Sequence, residues 1–184
     1  MFGRPRAAGG GFGNFMSAHH LRLSPFDVYI DPLLELQDRR LRELFAYWNE
    51  KRSGRPMPAR ADVNPGDIVS HLPSVFLIGA EPPAVTPKDF HVRLMGTALN
   101  ELFARDFTGR SLADGLSDKA ASAAAKVLAI VCELRRPLRL HGAAQFGDDH
   151  AATEIELVCL PLSVGGAHVG MAMGELVKRA SPLG

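Results

Sequence analysis

Cysteine is scarce: only Cys132 and Cys159 occur among the 184 residues. Two such residues make no disulfide framework, and a reducing cytoplasm is the expected compartment. No apolar run approaches the roughly 18 residues that cross a bilayer. Glycines follow Arg4 and Arg6 where a signal peptide would need an apolar core. Neither sign of charge is in excess, with 21 Lys and Arg against 20 Asp and Glu. That balance gives no electrostatic case for nucleic acid or for an anionic membrane. What is present is ordinary globular composition, 46% hydrophobic and 22% charged, enough for one domain with its own core plus an extension.

Residues 1–31 read as a flexible arm, because Gly9, Gly10, Gly11 and Gly13 beside Pro5 and Asn14 cannot recover their ordering entropy by burial. Gly11-Phe12-Gly13 lacks the preceding strand that a phosphate loop requires. Residues 32–60 read as an amphipathic helix, about 32–52, and a proline-rich connector. Asp31 is the expected cap and Pro32 the first helical residue. Leu34, Leu41, Leu44, Phe45 and Trp48 share one stripe.

Residues 61–180 read as the main domain. Ser74–Ala80 and Phe90–Met95 are expected strands, the second placing Phe90, Val92 and Leu94 on one face. Short helices follow from Gly96, and an alanine-rich helix runs over about 119–135. Three strands near 138–146, 153–162 and 167–177 close the domain, with Gly147-Asp148-Asp149-His150 and Val164-Gly165-Gly166 as turns. The order gives an α+β fold: a five-stranded antiparallel sheet covered by helices on one face, plus the N-terminal helix.

Several segments together resemble a PAS-like domain family found mostly in alphaproteobacteria. They are Tyr47-Trp48, Arg52-Ser-Gly-Arg-Pro-Met-Pro-Ala-Arg60, Asp62-Val-Asn-Pro65, Leu72-Pro-Ser-Val-Phe-Leu-Ile78, Phe90-His-Val-Arg-Leu-Met-Gly-Thr97, Asp106-Phe-Thr-Gly-Arg-Ser-Leu112 and Leu160-Pro-Leu-Ser163. The resemblance implies a PAS-like sensor or adaptor, with no catalytic residue and no cofactor to carry over.

The residues themselves offer little chemistry. The long helix has no histidine to hold haem. Neither cysteine has the Asn-Cys-Arg surroundings of a flavin photosensor. No serine has a Gly-x-Ser-x-Gly neighbourhood. Glu154 and Glu156 share a strand face and could act as an acid–base pair, although a solvated strand face is the plainer reading. His91, His141 and His168 fall in strands that could share a face.

A pocket between sheet and helices would be walled by Phe76, Ile78, Val92, Leu94, Leu99, Phe103, Leu128, Val131, Leu157 and Met171, with Leu102 and Val127 beside them. A mostly filled core is the expected state of these residues and a ligand cavity the alternative. Arg93 and Arg110 are the polar pocket candidates, able to fork onto a carboxylate or phosphate, though local structural pairing is the plainer role. The stripe Leu34, Leu41, Leu44, Phe45 and Trp48 either covers its own sheet or forms a homodimer or partner interface. Gly170, Ala172 and Gly174 make a smooth face on which a helix could come close. The expected function is a cytosolic sensory or regulatory module, not an enzyme, acting through dimerisation or a protein partner. A small-molecule receptor is the alternative, and an enzyme of unknown class a second one. No metal or cofactor is expected.

Overall fold

The computed structural model describes residues 21–23, 26–146 and 151–179. The glycine-rich segment, His19, His20 and the turn at 147–150 lie outside the described residues. Strands β1 (Leu21–Arg22), β2 (Asp27–Asp31), β3 (Val75–Ala80), β4 (Phe90–Met95), β5 (Leu138–Ala144), β6 (Thr153–Ser163) and β7 (Val169–Lys178) form one antiparallel sheet. Its order is β1-β2-β5-β6-β7-β3-β4. The five strands expected from the sequence are its contiguous part β5-β6-β7-β3-β4. The other two correct the reading of residues 1–31 as a flexible arm: Phe26, Val28 and Ile30 alternate with polar residues at the period of a strand, and β2 pairs with β5 from Asp27↔Ala143 to Asp31↔Arg139.

Helices cover both faces of the sheet rather than one. Helices α2 (Thr97–Leu102), α3 (Leu112–Gly115) and α4 (Asp118–Leu134) lie on the inner face, and α1 (Arg39–Arg52) on the outer. Alternation along β6 sorts the two layers. Leu157 and Cys159 face α4, whereas Val158, Leu160 and Leu162 pack with Leu41, Leu44 and Trp48 of α1. Trp48 also donates its indole N–H to the Pro161 carbonyl at 2.8 Å.

Helix α1 begins seven residues later than expected. Asp31 does not cap it, because its carboxylate is held in the sheet, where it accepts the N–H groups of Leu33 and Glu35 and lies 3.1 Å from Arg139 Nη1. Leu34 then takes a left-handed conformation, φ 57°, which a helix cannot contain. Asp38 is the cap, accepting from the Arg40 N–H. The N–H groups of Gln37 and Asp38 go instead to the two carboxylate oxygens of Glu156, at 2.8 and 2.9 Å. Arg139 Nε closes the cluster at 2.6 Å from Glu156 Oε1. Next to it on β7, buried Glu175 lies 2.9 Å from Arg40 Nη2 and 2.7 Å from His71 Nδ1.

Burial on its own would push the Asp31 carboxyl up. Hydrogen bonds from the Glu35 and Leu33 N–H groups and the Arg139 guanidinium outweigh it and hold Asp31 below the usual aspartate range. Burial likewise opposes ionisation of Glu156, and the Gln37 N–H, Arg139 and the Asp38 N–H hold it low. A carboxyl lowered by folding stabilises the native state above its unfolded pKa and loses that contribution as the pH falls through its folded one. Stability should therefore be level above about pH 5 and fall once the pH drops below the ordinary glutamate and aspartate values of 4.5 and 3.8. Urea midpoints between pH 3 and 7 check this, and a midpoint that rises on acidification contradicts it. Arg139→Met leaves two buried carboxylates without their cation and should cost about 3–5 kcal/mol. A loss below about 1 kcal/mol in urea unfolding would show that the cluster does not hold the fold.

Candidate functional site

Between the inner face of the sheet and α2–α4 lies a cavity of about 270 Å³. Its volume follows from small side chains. Ala120, Ala123 and Ala124 present α4 to the sheet, and all three line the space. On β7, Gly174 leaves room for the Phe76 ring: a Cβ there would stand 2.2 Å from Phe76 Cζ. Ala172 thus lies in the inner layer with α4 and Gly174 against Phe76, while Gly170 lies beside Val164. The core expected to be mostly filled is open.

Of the wall residues expected from the sequence, Phe76, Ile78, Val92, Leu99, Phe103, Leu128 and Leu157 line the cavity, as does Val127. Val131 is fully buried in the core beside it without lining it, and Leu102 packs in the adjoining cluster. Met171 belongs to the outer layer with α1. Leu94 is 39% exposed. A bulge explains it: Leu77 pairs with Leu94, but Ile78 pairs with Val92, so Arg93 is an extra residue and the strand's alternation reverses there. Met95 takes the cavity position instead. The reading also missed Leu23, Phe26 and Val28, which line the cavity from β2 and the residues before it. The alternation of Phe26, Val28 and Ile30 was the available signal. The alanines of α4 carried another, since a helix face of alanine leaves space as well as favouring helix.

Among the lining side chains only Ser111 and Gln145 carry oxygen or nitrogen. Ser111 is occupied as the cap of α3, donating to Asp114 Oδ2 at 2.7 Å. Cys159 faces the cavity, but burial pushes its thiol up to about 12, so it is no nucleophile near neutral pH. Burial also raises Cys132, to about 11. Arg93 lies away from the cavity, its Nη2 3.7 Å from Glu81 Oε1, and Arg110 is exposed on the turn before α3. Neither polar candidate reaches the space.

The other candidate chemistries do not assemble. Glu156 is buried with Arg139, so it forms no dyad with Glu154. His91 lies 3.6 Å from Glu81, and His141 stacks on Tyr29. Among the described residues no three His, Cys, Asp or Glu side chains could share a metal, and no helix is long and apolar enough to cross a membrane. In the expected interface stripe, Leu41, Leu44 and Trp48 are at most 2% exposed within their own chain. Leu34 and Phe45 are half-buried. With Trp48 they line a groove that Arg52, Arg135 and Arg136 also border.

The family model described as PAS domain matches residues 36–177, and the chain belongs to that family. No curated protein matches. Among solved structures, the PAS domain of Bordetella pertussis BvgS is 10% identical at a TM-score of 0.41, the match covering 64% of this chain and 89% of that one. An RNA-binding light-oxygen-voltage receptor is 18% identical at 0.44, covering 82% and 38%. A fungal LOV-domain photoreceptor is 12% identical at 0.39, covering 65% and 94%. PAS domains are in general sensory or regulatory modules.

The bulge predicts an inverted sensitivity on β4. Leu94→Ser should change stability by no more than about 0.5 kcal/mol, while Met95→Ala should cost about 2 kcal/mol or more. Thermal and urea unfolding of the two variants measure it, and the reverse order would show that the strand keeps a plain alternation.

Proposed function

We propose that this protein is a sensory module whose cavity takes up one small, uncharged, apolar molecule and whose output is a contact with another protein in the cytosol. The observation that carries the reading is the cavity itself: about 270 Å³, walled almost wholly by hydrocarbon. An apolar cavity of about 150 Å³ already binds benzene and stays free of water. This space is larger and close to the lower end of small-molecule sites, about 300 Å³. A charged ligand is disfavoured, because no lining side chain can pair with it and a bare buried charge is strongly penalised. The same lining argues against haem, which needs an axial ligand, and against a flavin, which needs polar partners for its ring edge and phosphate. No nucleophile, base or carboxylate lies in the wall, which supports binding over catalysis.

N-phenyl-1-naphthylamine, a neutral dye that brightens in apolar surroundings, should bind one per chain. Ala124→Phe places a ring in the space and should abolish that binding while leaving the melting temperature unchanged or higher, as filling a cavity does. Undiminished dye binding by the folded variant would put the ligand elsewhere. Solvent extraction of the native protein followed by mass spectrometry should release the natural occupant.

A further inference from the structure

One wall of the cavity comes from outside the segment matched to the family. Residues 36–177 supply β3–β7 and the helices, yet Leu23, Phe26 and Val28 also line the space. Strand β2 reaches that position because β5 has a glycine where the two backbones come closest. A Cβ on Gly142 would stand 2.2 Å from the Asp27 carbonyl oxygen, and its φ of +133° is one that side chains rarely allow.

Alternation then gives β2 two roles. Val28 and Ile30 turn inward to the cavity layer. Asp31, on the other face, joins Arg139 and Glu156, and Glu156 accepts the two N–H groups that lead into α1. A five-residue strand therefore touches the cavity on one side of the sheet and the anchor of α1 on the other. It is held fully by β5, but among the described residues its far edge is held by the two residues of β1 and by the Leu23 N–H, which donates to the Val28 carbonyl at 2.7 Å. Sparse pairing of that kind lowers local stability, so contacts from a ligand have an equilibrium to shift.

We propose that β2, with Leu23 and Phe26 before it, is the wall that reads the ligand, and that it transmits occupancy to α1 through Asp31, Arg139 and Glu156. This rests on the reading of the cavity as the site of a neutral apolar ligand. Selection is by shape and hydrocarbon contact, since Phe26 and Val28 offer nothing else. The helix responds because the carboxylate holding its first N–H groups shares Arg139 with the strand that meets the ligand.

The test titrates N-phenyl-1-naphthylamine into the full chain, wild type and variants. Phe26→Ala and Val28→Ala should each weaken binding about tenfold. Phe26→Leu, a milder change, should weaken it less and serves if the alanine variants do not melt cooperatively. Amide hydrogen exchange over residues 36–52 should slow when the dye binds the wild type. In Glu156→Gln, which changes the helix side of the relay and not β2, the dye should bind within about threefold of wild type, but the exchange of 36–52 should no longer respond. Absence of dye binding to the wild type overturns the cavity reading and this inference with it. Binding that ignores Phe26 and Val28 overturns the wall and leaves the cavity reading standing. Weakened binding with unchanged exchange in 36–52 overturns the transmission.

Discussion

The Arg139 guanidinium, enclosed between Asp31 and Glu156, is the interaction on which the arrangement depends. Three buried charges tolerate one another only when every lone pair and proton has a partner. Here the carboxylates are completed by backbone N–H groups of Leu33, Glu35, Gln37 and Asp38. Those groups belong to the segment that carries the chain from the edge of the sheet to α1. Satisfying the charges therefore fixes the path of the backbone. Strand β2, strands β5 and β6 and the start of α1 are set by one cluster. Glu175, one strand further on, extends the arrangement through Arg40 and His71.

With α1 fixed on the outer face, its stripe of Leu41, Leu44 and Trp48 is buried against β6 and β7. The inner face is left to the shorter helices and α4. There the small residues decide the outcome. Alanine on α4 and glycine on β7 keep helix and sheet from filling the space between them, and the ring of Phe76 occupies only part of it. A cavity of this kind sacrifices dispersion contacts, a deficit that an apolar occupant of suitable shape would make good.

The chemistry of the wall narrows what such a domain can sense. Polar recognition inside a cavity needs convergent donors and acceptors. Ser111 already caps α3, Arg93 is turned toward Glu81, and the thiol of Cys159 is held protonated by its burial. The polar residues that the sequence makes conspicuous lie elsewhere. Apart from the Gln145 amide, what remains is discrimination by size and shape, the kind of selectivity that apolar contacts provide.

The sequence by itself determined the PAS class, the five central strands, the long α4 and part of the cavity wall. Those features follow from local periods, glycine turns and helix caps that act over a few residues. Phe76, Ile78, Val92, Leu99, Phe103, Leu128 and Leu157 were legible for that reason. Only the tertiary structure decided the rest. Leu94 left the wall because a bulge appears when β4 is paired with β3, and pairing is not written in β4 alone. The start of α1 moved to Asp38 because Asp31 is bound to Arg139, 108 residues away. Strand β2 exists as part of the sheet because Gly142 admits it. Bulge register, long-range ion pairing and backbone clearance each join residues distant in the chain, and no local pattern records them.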